Sequence, residues 1–175
     1  MRANDFLSIY RADGLIKTVA AGIKAPAHKN IRIRGLSGSL DAIVLSATFK
    51  IHPEDCIVVL SDKEEASYFQ NDLQNLLGRE VLLFPMSYKR PYEYHDIENA
   101  NILMRAEVLN RLANKNEPDI IVTYPDALSE KVINRRSLAS NTFSVALGEK
   151  LDISFLEEFL LNYDFEKTDF VYEAG

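Results

Sequence analysis

Small and polar residues between positions 35 and 42 have the spacing of a phosphate-binding loop at the start of a helix. In the P-loop pattern Gly-x-x-x-x-Gly-Lys-Ser/Thr, backbone N–H groups at the helix N-terminus bind the phosphates, while the lysine and the hydroxyl serve the terminal phosphate and Mg²⁺. Aligned on Gly35, the pattern places Leu40 at the second glycine, Asp41 at the lysine and Ala42 at the hydroxyl. A carboxylate at the lysine position would repel a polyphosphate, and a methyl group cannot bind a metal ion. We call residues 35–42 the glycine turn.

The glycine turn therefore keeps the frame of a nucleotide site without its chemistry. Read as a degenerate P-loop, its positions are Gly35, Ser37, Gly38, Ser39, Asp41 and Ala42. The alternative is a purely structural connection, since strand–glycine–helix turns occur in many α/β proteins with no nucleotide ancestry. We assign no catalytic residue, no metal ligand and no cofactor to this chain.

The elements around the glycine turn follow from local patterns. Ile31 to Arg34 is predicted to be a short strand, and a helix is predicted from about Ser39 to Lys50, before His52-Pro53. The run from Cys56 to Leu60 is apolar and rich in β-branched residues, which is typical of a strand covered on both faces in a parallel sheet.

The same alternation of strand and helix continues along the chain. Two short helices, separated at Asp13-Gly14, are predicted in residues 4–24. The later predictions are helices over 63–77 and 97–113 and strands over 81–84 and 119–124. Helix 97–113 is expected to present Ile97, Leu103, Ala106, Leu109, Leu112 and Ala113 as its apolar positions. The βαβαβαβ order predicts an α/β fold with a doubly wound parallel sheet and helices on both faces.

The pattern changes beyond about residue 137, where a second domain is predicted to begin. Residues 142–147 alternate like an antiparallel strand, a helix is predicted over 153–162, and residues 168–172 form another predicted strand. The sequence stops at Gly175, directly after that strand. We therefore expect the chain to be an expressed fragment that ends within its second domain.

Composition excludes some classes of protein. The 175 residues carry a formal charge of −6 and a pI near 5.1, which argue against a free-standing nucleic-acid binder with a dominant basic face. No signal peptide and no membrane-spanning apolar run is recognisable, and a lone cysteine cannot form an intrachain disulfide. We expect a cytoplasmic chain with no membrane partner.

Other candidate residues favour structural roles. Cys56 has no partner at metal-ligand spacing and is expected in the core, and the three histidines, at positions 28, 52 and 95, are isolated from one another. Asp62 follows the second predicted strand, where it could serve Mg²⁺, but its position before a helix favours N-terminal capping.

The loop Tyr88–His95 interleaves aromatic residues with Lys89 and Arg90. Such a composition could stack bases and hold phosphates. The alternative is a proline-rigidified surface loop whose acidic neighbours dilute its positive charge.

Several short motifs together resemble the N-terminal module of bacterial transcription-repair coupling factors, the Mfd family. That module is similar to the damage-recognition protein UvrB with a decayed ATP site. The motifs span roughly residues 30–175 and are Gly35-Leu36-Ser37-Gly38-Ser39, Phe84-Pro85 with Pro91-Tyr92-Glu93, the helix with Arg105 and Leu109, Ile120 to Leu128, and Gly148-Glu149-Lys150-Leu151. The resemblance implies a degenerate RecA-like domain over residues 1–136 and the beginning of a UvrA-binding domain over residues 137–175. The long DNA-clamping hairpin of UvrB is not expected here, since the chain passes from Tyr94 to a helix within a few residues.

The resemblance also implies a function. In this family the second domain recruits the repair protein UvrA to RNA polymerase stalled at a lesion, while a separate motor uses ATP and Mg²⁺ to translocate on double-stranded DNA. That motor would lie outside these residues. The alternatives are an ATP-binding P-loop module, opposed by the absent Gly-Lys-Ser/Thr, and a damaged-DNA-binding module, opposed by the negative charge.

The resemblance implies three tentative UvrA contacts. UvrB contacts UvrA through a Tyr-x-Arg element, on which Phe165-Glu166-Lys167 lies, so Lys167 keeps the charge but not the guanidinium. That element is followed by a short loop and an Arg-Gly pair, and Ala174 stands where the arginine of the pair would be. Lys150 matches a basic position before a helix. Both lysines could equally be ordinary solvated side chains.

Overall fold

The chain divides into two compact units in a computed structural model that describes residues 3–24, 30–87, 99–114, 117–140, 145–161, 165 and 167. The first unit is Met1–Val132 and the second is Ile133–Gly175. The first contains the parallel sheet and the glycine turn. Its α/β architecture confirms the fold predicted from the alternating pattern.

Two helices begin the first unit, as predicted. α1 (Ala3–Ala12) and α2 (Gly14–Lys24) are separated at Asp13, whose carboxylate accepts hydrogen bonds from the N–H groups of Leu15 and Ile16 at 2.8 and 3.2 Å. Asp13 thus caps α2 while it ends α1. Both helices pack against α3 (Leu40–Ile51), where Leu7, Ile16 and Ala47 form a small buried cluster.

The sheet has three parallel strands in the order β1-β3-β2. They are β1 (Cys56–Val59), β2 (Leu82–Phe84) and β3 (Ile120–Thr123). Ile57 pairs with Ile121, which pairs in turn with Leu82. All residues of the central strand β3 are buried, which explains its unbroken run of β-branched residues.

α4 (Lys63–Leu77) follows β1 and has the ends that its sequence predicts. The Asp62 carboxylate accepts from the Glu65 N–H at 2.8 Å, while Glu65 accepts from the Ser61 N–H at 3.0 Å. Gly78 ends the helix at a φ of 64°, a left-handed conformation that glycine adopts without strain. Asp62 is therefore the N-cap of α4, as its position in the sequence predicted.

α5 (Asn99–Ala113) was predicted in the right place, but its apolar face was predicted only in part. Leu109 packs against the core as predicted, while Ile97 lies outside the described residues. Arg105 and Val108 are buried, whereas Leu103 is 61% exposed and Leu112 is exposed. An arginine in an apolar stripe normally marks the solvent side. Here its charge and hydrogen bonds are satisfied inside the fold, so the core face includes it.

The predicted strand at Ile31 to Arg34 is wrong. Residues 30–37 have no regular secondary structure and are exposed. The Ile31 side chain lies against α2, where an added Cβ on Gly22 would come within 2.8 Å of it. A strand requires a partner, and none of the described strands pairs with this segment.

Two short helices were not predicted. They are α6 (Pro125–Ser129), which begins directly after β3, and α7 (Arg135–Ser140). The second unit also contains α8 (Ile153–Leu161), which agrees with the predicted helix. Of the predicted strand at 142–147, residues 142–144 lie outside the described residues and residues 145–147 are not in a strand. Ala146 and Glu149 instead close a turn at Gly148, and the predicted strand at 168–172 lies outside the described residues.

Candidate functional site

The glycine turn enters α3 without a preceding strand. Gly35 and Gly38 have φ angles of 83° and 59°, so both use the left-handed conformation that favours glycine. Ser39 occupies the N-cap position but makes no side-chain cap hydrogen bond. The turn is therefore shaped by its glycines rather than by a capping hydroxyl.

Backbone donors at the start of α3 already have acceptors within the chain. The Ala42 N–H donates to the Asp41 carboxylate at 2.8 Å, and the Ile43 N–H donates to the Ser39 carbonyl at 3.1 Å. The Leu40 N–H lies 3.4 Å from the Ser37 carbonyl. These are the groups that a P-loop offers to phosphates, and here a carboxylate of the chain competes for them.

Ala42 lies in the hydrophobic core and is fully buried. A P-loop hydroxyl at this position would have to reach the metal ion of a bound nucleotide. The methyl group instead belongs to the buried hydrophobic cluster that also contains Phe49 and Val122. The arrangement leaves the start of α3 with neither a cation nor a metal ligand at the expected positions.

A second cluster of polar groups lies where β2 and β3 end, the edge at which open α/β sheets usually bind ligands. Its centre is Arg105 of α5, which donates to the carbonyls of Pro85 at 2.8 Å and Ala127 at 3.2 Å. The guanidinium also lies 4.1 Å from the centre of the Phe84 ring, within the range of a cation–π interaction. One side chain thus joins α5 to the ends of β2 and α6.

The Glu130 carboxylate balances this buried charge at 3.1 Å from the Arg105 guanidinium. It accepts from the Ser87 N–H at 3.0 Å and from the Ser87 hydroxyl at 2.7 Å. Both partners of the ion pair are about nine-tenths buried, at 8% and 10% side-chain exposure. Removal of Glu130 would take the carboxylate away from a buried guanidinium, and removal of Arg105 would take the guanidinium away from a buried carboxylate, so either change should destabilise the fold.

Neutral hydrogen bonds extend the cluster along residues 84–87. The Tyr124 hydroxyl accepts from the Met86 N–H at 2.9 Å, and the Asn101 amide donates to the Met86 carbonyl at 3.0 Å. Thr123 donates its hydroxyl proton to the Phe84 carbonyl at 2.8 Å. We use the name carboxyl-end cluster for Arg105 and Glu130 together with residues 84–87, Asn101, Thr123 and Tyr124.

The carboxyl-end cluster holds neighbouring elements together rather than forming an open binding site. Its charged groups satisfy one another, and its backbone groups are bonded to side chains from α5, β3 and the segment after α6. The candidate nucleic-acid loop Tyr88–His95, which follows the cluster, lies outside the described residues. Sequence reasoning noted Arg105 but missed Glu130, because no local pattern links residues so far apart.

The tentative UvrA contacts lie in the second unit and are exposed. The Lys167 ammonium pairs with the Glu157 carboxylate at 2.7 Å, and the Phe165 N–H donates to the Leu160 carbonyl at 3.2 Å. Among the described residues, no hydrogen bond or ion pair joins Lys150 to either of them. Glu166 and Ala174 lie outside the described residues.

The remaining candidates are Cys56 and the three histidines. Cys56 is half-buried against the core, and burial raises the pKa of its thiol above the ordinary value. His52 lies 2.7 Å from Glu54, while the other two histidines lie outside the described residues. In the part of the chain that the structure describes, no group of three or more His, Cys, Asp or Glu could hold a metal ion. No helix there is both long and apolar enough to cross a membrane.

Comparison with known proteins places the chain near one group of repair proteins. No family model and no solved structure matches it. The transcription-repair-coupling factor of Rickettsia bellii is 26% identical over 133 residues, which cover 75% of this chain and 12% of that protein. That of Borreliella burgdorferi is 24% identical over 114 residues, which cover 64% of this chain and 10% of that protein. The chain thus spans about a tenth of the length of these curated relatives, and over most of its own length it is similar in sequence to transcription-repair-coupling factors.

Proposed function

We propose that this chain is a non-catalytic interaction module of a transcription-repair-coupling factor. It contributes a degenerate RecA-like domain, residues 1–136, and the beginning of a UvrA-binding domain, residues 137–175. Its role is to recruit UvrA to RNA polymerase stalled at damaged DNA. ATP and Mg²⁺ serve a motor elsewhere in the full protein, which translocates on double-stranded DNA.

The observation that carries this proposal is that the N-terminus of α3 lacks the groups with which a P-loop binds a nucleotide. The Asp41 carboxylate accepts the Ala42 N–H at 2.8 Å, and the Ala42 methyl group is part of the core. A bound triphosphate would meet a negative charge at the position where a P-loop supplies a positive one. The names of the two relatives, which couple transcription to repair, support the wider assignment.

The exposed residues of the second unit suit a partner contact. Lys167 and Glu157 form a surface pair, with 78% and 51% side-chain exposure, and such pairs contribute only about 0–1 kcal/mol to stability. Lys167 can therefore leave Glu157 for an acidic side chain of a partner at small cost. Phe165 offers an exposed aromatic surface two residues away.

Calorimetry with UvrA from the same organism tests this contact. Lys167→Glu should weaken binding by roughly 1–3 kcal/mol, the range for loss of a hydrogen bond to a charged group. Lys150→Glu should also weaken it. Glu157→Ala should leave binding unchanged or stronger, because it frees the Lys167 ammonium. Lys17→Glu, which reverses an exposed lysine of α2, is the matched control and should have no effect.

Unchanged affinity in both Lys150→Glu and Lys167→Glu, with the fold intact by circular dichroism, would remove these residues from the interface. No binding of UvrA by the unaltered chain would reject the proposed recruitment role for these residues.

A further inference from the structure

Residues 14–40 are the longest stretch of the chain without an acidic residue. They lie between Asp13 and Asp41 and include five lysines and arginines. The whole chain has a formal charge of −6, so the charge of +5 in this stretch leaves −11 for all the other residues. Positive charge is therefore concentrated in one part of an acidic protein, which is typical of a local anion-binding surface.

The carboxyl-terminal part of this stretch, residues 30–39, is exposed along its whole length. We call it the basic segment. Ile31 lies against α2 near Gly22, while the side chains of Arg32 and Arg34 are exposed. Neither arginine forms a hydrogen bond or an ion pair with another residue in the part of the chain that the structure describes. Both guanidinium groups are therefore available to an anion.

The backbone of the basic segment also carries donors without acceptors. Among the described residues, nothing accepts from the N–H groups of Ile31 to Ser39, whereas the Leu40 N–H that follows lies 3.4 Å from the Ser37 carbonyl. Gly35 and Gly38 have no side chain, and no atom lies within 4 Å of the positions that their Cβ atoms would take. An anion can therefore approach the main chain closely at these glycines.

The donors of the basic segment are those that bind the phosphate groups of nucleic acids. Proteins contact that backbone with arginine and lysine, with serine and threonine hydroxyls and with main-chain N–H groups. The segment offers the guanidinium groups of Arg32 and Arg34, the hydroxyls of Ser37 and Ser39, and its own N–H groups. We propose that the basic segment binds the phosphate backbone of double-stranded DNA.

A duplex suits the basic segment better than other anions do. Residues 14–40 contain no Phe, Tyr or Trp that could stack on the unpaired bases of a single strand. ATP would need the first N–H groups of α3, which Asp41 and Ser39 already occupy. A duplex carries one charge per about 1.7 Å of its axis, whereas an extended acidic peptide has one residue per roughly 3.3–3.6 Å.

The contact should be weak and sensitive to salt. Each phosphate that a protein neutralises on a duplex contributes about −0.9 to the slope of log K against log salt concentration, so two arginines should give a slope of about −2. The charge of −11 on the remaining residues opposes binding and keeps the affinity low. The proposal does not depend on recruitment of UvrA, and the experiments below contain no UvrA.

Fluorescence anisotropy with a fluorescein-labelled DNA duplex, over a series of salt concentrations, tests the proposal. The unaltered chain should bind at low salt, and Arg32→Gln and Arg34→Gln should each weaken binding and reduce the slope by about 0.9 in magnitude. Circular dichroism should show that both variants keep the fold. No saturable binding by the unaltered chain, or a slope that neither variant changes, would overturn the proposal.

Lys17→Gln is the matched control for the arginine variants. It removes the same charge from an exposed position of α2. Lys17 precedes Gly22 by five residues, which at 3.6 residues per turn places it about 140° around the helix from the side that Ile31 contacts. The slope should therefore stay at about −2. A reduction equal to that of Arg32→Gln would mean that DNA responds to overall charge rather than to the basic segment, and it would overturn the proposal.

Competition with polyglutamate separates DNA from an acidic protein partner. At equal concentrations of charge, unlabelled duplex should displace the labelled duplex, while polyglutamate should displace little of it. Equal displacement by both would show that the basic segment accepts carboxylates as readily as phosphates, and it would overturn the assignment to DNA. Amide chemical shifts then locate the contact, since those of residues 31–39 should change when duplex is added. Changes confined to other residues would contradict the proposed site.

Discussion

The amino end of α3 and the carboxyl ends of β2 and β3 are both places where α/β domains commonly bind ligands, and this chain uses them differently. At α3, neighbouring residues satisfy the donors, with Asp41 accepting the Ala42 N–H and Ser39 accepting the Ile43 N–H. At the strand ends, the groups come from distant parts of the chain and meet at Arg105 and Glu130. The polar groups at the start of α3 are therefore bonded by residues close in sequence, whereas those at the strand ends are bonded by residues that only the fold brings together.

Asp41 and Arg105 show that the role of a charged side chain depends on its burial. Asp41 lies in the first turn of a helix, where a carboxylate is favoured by the helix dipole and costs little. Arg105 is buried, so its charge is tolerated only because two carbonyls, a carboxylate and an aromatic ring surround it. The carboxyl-end cluster should therefore contribute to stability far more than an exposed ion pair does.

Arg105→Ala should give the largest effect. It breaks the buried ion pair with Glu130 and both hydrogen bonds to carbonyls, and it should lower the free energy of unfolding by roughly 3–5 kcal/mol, measured by urea denaturation. Arg111→Ala is the matched control on the same helix. Arg111 pairs with Glu80 and Glu107 at the surface, which raises the pKa of its guanidinium, and its removal should cost only about 0–1 kcal/mol.

Arg105→Lys separates charge from geometry. A lysine keeps the positive charge, but it lacks the fork that reaches the Pro85 and Ala127 carbonyls together. Its cost should fall between those of the two alanine variants. Equal losses for Arg105→Ala and Arg111→Ala would contradict the distinction between a buried and an exposed pair.

The two helix caps give a smaller contrast. Asp62→Ala removes the bond to the Glu65 N–H and should cost about 1 kcal/mol, the usual loss for an N-cap. Ser39→Ala removes a hydroxyl that makes no cap bond and should cost close to nothing. Thermal unfolding of both variants measures the difference. A Ser39→Ala loss as large as that of Asp62→Ala would show that the Ser39 hydroxyl does cap α3 in solution.

Elements with local signals could be predicted from the sequence. The ends of α4 follow from Asp62 and Gly78, and the break between α1 and α2 follows from Asp13 and Gly14. Each of these residues acts on its immediate neighbours, through a side-chain cap or a left-handed φ. Pro125 at the first position of α6 likewise favours the start of a helix, although no helix was predicted there.

Features that depend on distant partners could not be predicted. The alternation at Ile31 to Arg34 favours a strand, but a strand forms only when another strand offers its hydrogen bonds. The apolar face of α5 was predicted only in part, because the burial of Arg105 depends on Glu130 and on two carbonyls from other elements. In the glycine turn, the sequence itself shows that the lysine and the hydroxyl of a P-loop are absent. It gave no indication of the hydrogen bond between the Asp41 carboxylate and the Ala42 N–H.

Titration of the chain with a fluorescent ATP analogue in the presence of Mg²⁺ tests the central claim most directly. We predict no saturable binding, because Asp41 holds a donor that the phosphates would need and Ala42 offers no ligand to the metal ion. Gly38→Ala, which strains a left-handed residue of the glycine turn, should then change nothing in the titration. Saturable micromolar binding that Gly38→Ala abolishes would contradict the account, since it would show a working nucleotide site at this turn.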